Sequence, residues 1–244
     1  NSKYIKNNHC FNFAFSAGGV YEYNIYLNYF KKIGFNPKVI YVEQSSGLVR
    51  NQTNNAKQLP KFVKEGRLPD HFMTNYLLFS SFIFSIKSIF GISPYLQAYD
   101  SEFQGFVRKN NLKYLPNKHL LSLNNVENRN ISPNLELHRK FKRVFPSAKI
   151  IAWVQPVSAW QVYQYWKNGS LKNIIRNNYK ISKIYDEFYD FSIPNKFTKN
   201  KDLTYDGSHY YEEVLNSIAN IISTENTNSK FYLSSKEKYE NNFL

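Results

Sequence analysis

Cysteine is almost missing: Cys10 stands alone among 244 residues. That excludes an internal disulfide and any zinc site built on cysteines, and Cys10, set in an apolar run, reads as a small buried hydrophobe. Glycine and proline are also scarce, nine of each, and with 42% hydrophobic and 20% charged residues the composition argues against disorder and a fibrous repeat. Gly18 and Gly19 lack both the Lys-Ser/Thr of a P-loop and the spacing of a dinucleotide-binding turn, so no phosphate-cradling loop is expected. His71, His119 and His138 are too far apart for metal-ligand spacing and read as surface or core histidines. Neither a metal nor a cofactor is expected. Acidic residues are outnumbered, 18 against 32 basic, for a formal net charge of +14. Such a charge suits an anionic partner. The lysines, however, are spread along the chain as solvated faces, and with no recognition helix or RNA motif a nucleic acid is not the expected partner. Only one long apolar stretch occurs, over 72–90, and it is interrupted by Thr74, Asn75, Ser80, Ser81, Ser85 and Lys87. It reads as a buried or capping helix rather than a membrane span.

What remains is the composition of a globular protein, 42% hydrophobic and 20% charged, long enough to bury a full core in one large domain. An aromatic-rich strand over 10–15 runs into the turn Ser16-Ala17-Gly18-Gly19. A helix over 20–33 follows, stopped by Gly34, and Pro37 introduces a strand over 39–42. Strand, helix and strand make a βαβ unit and hence a parallel sheet. Polar excursions are expected at about 43–70 and 92–132, where such folds build substrate sites. Ser132 as N-cap and Pro133 at the first position open a helix over 133–144. A buried strand over 149–154 ends at Gln155-Pro156. A pair of helices broken near Gly169 fills 159–185, a short strand spans 188–191, and an amphipathic helix over 210–222 closes a domain of 1–224. A polar tail, 225–244, follows.

Just before that last helix stands Tyr205-Asp206-Gly207-Ser208-His209-Tyr210. An aspartate and a histidine three apart, on a loop entering a helix, face one pocket, where the imidazole acts as general base and the carboxylate orients it. The bland reading makes Asp206 the helix N-cap and His209 a first-turn residue. For Trp153, Trp160 and Trp166 a core role is the default, with Trp160 and Tyr163 as alternative linings of a sugar or acyl pocket.

The order of these parts resembles the SGNH (GDSL-like) hydrolase superfamily, whose members carry an Asp-x-x-His motif before the C-terminal helix. In particular it is similar to the envelope-associated branch that includes alginate O-acetyltransferase-like and D-alanyl transfer-like proteins. The resemblance implies a three-layer α/β/α sandwich with a mostly parallel, flavodoxin-like sheet, and a Ser-His-Asp triad that hydrolyses or transfers acyl esters of a cell-envelope carbohydrate. It implies a periplasmic or envelope location, with membrane attachment only through an anchor upstream of Asn1. In one alignment the first strand lies upstream of Asn1, Ser2 is the nucleophile, and the N–H of Gly18 or Gly19 stabilises the oxyanion. A competing alignment makes Ser16 the nucleophile. The usual Gly-x-Asn-Asp block is absent, and Gln155-Pro156-Val157-Ser158 stands in its place, with the Gln155 amide as a substitute oxyanion donor. The alternative is an inactive relative of the same fold that binds a polysaccharide or an assembly partner.

Overall fold

The computed structural model describes residues 19–44, 83, 86, 97–99, 105–107, 114–116, 133–224 and 231. The chain divides into two units, Asn55–Asn111 and the remainder. In the first, Gln97–Tyr99 (β2) pairs antiparallel with Gly105–Val107 (β3), and Ile83 and Ile86 are helical. This two-stranded sheet lies where an irregular excursion is expected from the sequence. Three-residue strands are too short for a period-two pattern to show.

The larger unit is α/β. Its elements are α1 (Val20–Lys32), β1 (Val39–Gln44), α2 (Leu135–Val144), β4 (Lys149–Val154), α3 (Ala159–Lys167), α4 (Leu171–Ser182), β5 (Glu187–Asp190) and α5 (Glu212–Ser223). The strands form a parallel sheet in the order β1-β4-β5. The central strand β4 has the continuous apolar run of a strand covered on both faces. Ile150, Ala152 and Val154 pack with Val20, Phe141, Ile181 and Phe188, so α1, α2 and α4 cover one face. Ile151, with Trp153 beside it, packs with Tyr189 and with Val214, Ile218 and Ile222 of α5 on the other. Burying those three α5 side chains contributes about 1.5–3 kcal/mol each. Helix propensities differ by only about 0.7 kcal/mol per residue, so packing holds α5 in place.

Most sequence boundaries hold to within two residues, and the two-residue shifts at the starts of α2 and α5 have physical causes. Helix α2 starts at Leu135 with Asn134 as N-cap, its side chain accepting from Leu137 N at 3.2 Å, not with Ser132 and Pro133. Helix α5 starts at Glu212 rather than Tyr210, because Tyr210 pairs with Thr204 in an antiparallel bridge. Helix α1 ends as expected at Gly34 (φ 87°). Gly34 N bonds Lys31 O, Phe35 N bonds Phe30 O at 2.9 Å, and the Phe30 and Phe35 rings meet at 5.8 Å, which together make a Schellman stop. The expected strand over 10–15 and the polar tail except Phe231 lie outside the described residues. Among the described residues no helix is long and apolar enough to cross a membrane.

His138 on α2 is a core histidine. Its Nδ1 lies 2.7 Å from the Tyr185 hydroxyl, which also accepts from Gln44 Nε2 at 3.4 Å, so the hydroxyl proton points at His138. Burial depresses the imidazole from 6.5 to about 4. The neutral ring fits the fold, so its contribution is fully present above pH 6.5 and is lost as pH falls towards 4, with a limit of about 3 kcal/mol. Urea unfolding across that window is expected to show the loss in the wild type and a flatter profile in His138→Phe. Parallel profiles would remove His138 as the cause.

Candidate active site

The carboxyl edge of the sheet gathers the site. Gln44, Val154 and Asp190 lie in one row across it. Helix α1 brings its N-terminal turn to the same edge, where Tyr23 Oη donates to Glu43 O at 3.3 Å. The turn carrying Asp206 and His209 is joined there through Ser158, four residues beyond the end of β4, whose N–H donates to Gly207 O at 2.7 Å.

That turn is closed by its own hydrogen bonds. Thr204 Oγ1 accepts from Gly207 N at 2.9 Å and donates to His209 O at 2.7 Å. Gly207 has φ 89°, and a Cβ there would sit 2.7 Å from the Tyr114 ring, so only glycine fits. Asp206 Oδ1 accepts from the N–H groups of Ser208 and His209, both at 2.8 Å. Its Oδ2 lies 2.6 Å from His209 Nδ1. Asp206 therefore caps its own turn, and the N-cap of α5 is Tyr211. The bland reading of Asp206 as helix cap is overturned.

With Nδ1–H donated to a carboxylate, the neutral imidazole carries its lone pair on Nε2. Among the described residues no hydrogen bond engages Nε2. Tyr205 stacks on the ring, centroids 5.5 Å apart and planes within 7°, which fixes its plane. The Asp206 hydrogen bond raises the His209 pKa, partial desolvation opposes it, and the charges of Asp206 and Glu43 add to the rise. Partial burial works to raise Asp206, but the His209 bond and the two backbone N–H groups outweigh it and hold the carboxyl below its usual range. The pair has the geometry of an imidazole oriented by a carboxylate, half open to solvent.

Glu43 is the residue that sequence reasoning misses. Its side chain is exposed by area yet ringed by protein, so desolvation raises its carboxyl while the nearby His209 charge lowers it. The sequence signal is the alternation Val42 in, Glu43 out, Gln44 in, which carries β1 past its apolar run. Asp190, at the end of β5, is committed to structure: buried, it accepts from Asn178 Nδ2 at 2.8 Å and Ser192 N at 2.9 Å.

Gly19 is the N-cap of α1, and its N–H donates to Glu22 Oε2 at 3.1 Å, so an oxyanion at this N–H would have to displace Glu22. Gln155 is half-buried at the first position past β4. Ser2, Ser16 and Gly18 lie outside the described residues. Among the described residues no group of histidine, cysteine and acidic side chains is arranged to hold a metal. No protein-family profile, curated protein or solved structure was found to match the chain.

Proposed function

We propose that the chain is an SGNH-like acyl esterase or O-acyltransferase, with the three-layer α/β/α arrangement of that superfamily, acting on an acylated carbohydrate. The observation that carries the reading is the Asp206–His209 contact of 2.6 Å, with Nε2 unengaged among the described residues, at the edge where parallel sheets build their sites. A serine Oγ attacks the ester carbonyl and gives its proton to His209 Nε2. The tetrahedral oxyanion collapses to an acyl-enzyme, His209 returns the proton to the leaving alcohol, and water or an acceptor hydroxyl then takes the acyl group. Asp206 keeps the tautomer and stabilises the imidazolium.

Two serines compete for the nucleophile. The alignment of motifs favours Ser2, and Ser16, three residues before the α1 N-cap Gly19, is its rival. Labelling the folded chain with a fluorophosphonate and mapping the adduct decides between them. The expected result is one modified serine, Ser16 or Ser2, and no adduct in His209→Ala. An unlabelled wild type, or labelling indifferent to His209→Ala, contradicts the reading; the former outcome fits an inactive binding protein of the same fold.

A further inference from the structure

Helix α3 turns aromatic side chains outward. Trp160, Tyr163 and Trp166 recur at every third position and are 52%, 50% and 64% exposed, while Val162 and Tyr165 are buried. The core role expected for Trp160 and Trp166 is therefore wrong. Tyr163 and Trp166 lie against each other, ring centroids 5.6 Å apart and tilted by 33°. Burying one such ring contributes about 1.5–3 kcal/mol, so three left in water on one helix form a surface with a use other than folding.

Trp160 also walls a shallow depression of about 510 Å³, together with Lys196, Lys199, Asn200, Lys201 and Asp202. The start of α3 is tied both to the segment that carries the lysines and to the Asp206–His209 turn. Ala159 N donates to Thr198 O at 2.8 Å on the lysine side, and Ser158 N donates to Gly207 O at 2.7 Å on the other. Ser208 Oγ of the dyad turn donates to Gln161 Oε1 at 3.4 Å.

We propose that this surface binds a stretch of acidic polysaccharide and leads it to the dyad. Three lysines against one aspartate select an anion. A tryptophan face carries the negative side of the ring quadrupole and accepts the weakly positive C–H edge of a sugar. Asp202 and Asn200 distinguish the ligand from a polyphosphate. A carboxylate in the lining repels phosphate but accepts hydrogen bonds from sugar hydroxyls, and Asn200, whose Oδ1 is taken by Asp202 N at 3.0 Å, offers its N–H groups to a ring or carboxylate oxygen. The binding stands on these residues alone; its role in delivering an ester rests on the reaction proposed above.

The test titrates the full chain with oligogalacturonate and with hyaluronan fragments, read by tryptophan fluorescence and calorimetry. Saturable binding that weakens with salt is expected. It should fall at least about tenfold in Trp160→Ala and in the double variant K199E/K201E, and for neutral maltooligosaccharide. Four results overturn the proposal: no binding of either acidic glycan, affinity indifferent to both surface variants, tighter binding of a single-stranded oligonucleotide, or self-association abolished by Trp166→Ala. Binding that persists in a chain the fluorophosphonate never labels leaves the platform standing and removes the acyl chemistry. Labelling without glycan binding removes the platform alone.

Discussion

Replacing His209 with alanine is expected to lower kcat/KM for a short-chain nitrophenyl ester by about a thousandfold or more. The variant removes the base that Asp206 holds at the carboxyl edge, and Asp190 cannot replace it, being buried and committed to Asn178 and Ser192. The fold should not notice. His209 is half-exposed, and the bonds that close its turn run through Thr204 and the backbone, so the melting transition should stay where it is. Asp206→Asn is expected to cost about 10²–10⁴ in kcat, because an amide no longer demands the Nδ1–H tautomer or balances the imidazolium. It also leaves the two backbone N–H groups with an acceptor, so its effect should fall on kcat rather than on folding. Equal activity in the wild type and both variants would remove the dyad from the chemistry.

Gly207→Ala is expected to destabilise the larger unit by about 2–5 kcal/mol in urea unfolding. Two independent effects add. A side chain at φ 89° is in left-handed backbone space, worth about 1–2 kcal/mol, and its Cβ meets the Tyr114 ring at 2.7 Å, an overpacking cost of about 1–3 kcal/mol. The double variant Tyr114→Ala/Gly207→Ala separates them. It should relieve the clash and keep the strain, giving a coupling energy of about 1 kcal/mol or more. Additive effects would show that the ring yields without cost. Because Gly207 O is also the acceptor for Ser158 N, the single variant should lower esterase activity along with stability, by moving the dyad away from the sheet edge.

The buried strand and the helix stop were readable because a single local rule decides each. Strand β4 is an apolar run between Pro146 and Pro156, and α1 stops where Gly34 alone tolerates the backbone. The start of α2 was misread because Ser132 and Asn134 are both good caps, and choosing between them takes the Leu137 N–H that only the folded turn supplies. The start of α5 was misread because the bridge between Thr204 and Tyr210 outweighs an amphipathic pattern that runs through Tyr210. At the site, Asp206 and His209 were legible as a pair three residues apart. Their hydrogen bond, the stacking of Tyr205 and the approach of Glu43 were not. Glu43 and His209 are 166 positions apart in the chain, and no local pattern reports an electrostatic influence that arises only when the chain folds. Trp160 and Trp166 were misassigned for the opposite reason: hydrophobicity argues for burial, while helix geometry puts Val162 and Tyr165 inside instead.

The pH dependence of kcat/KM for ester hydrolysis, in the wild type and in Asp206→Asn, tests the dyad most directly. His209 must be neutral to act as a base, and its pKa is raised by Asp206 and, more weakly, by Glu43. The wild-type rate should rise with pH through a midpoint above 6.5, and in Asp206→Asn that midpoint should move down while the plateau drops. A midpoint shared by the two proteins, or a rate that follows hydroxide concentration alone, would contradict a base held and tuned by Asp206.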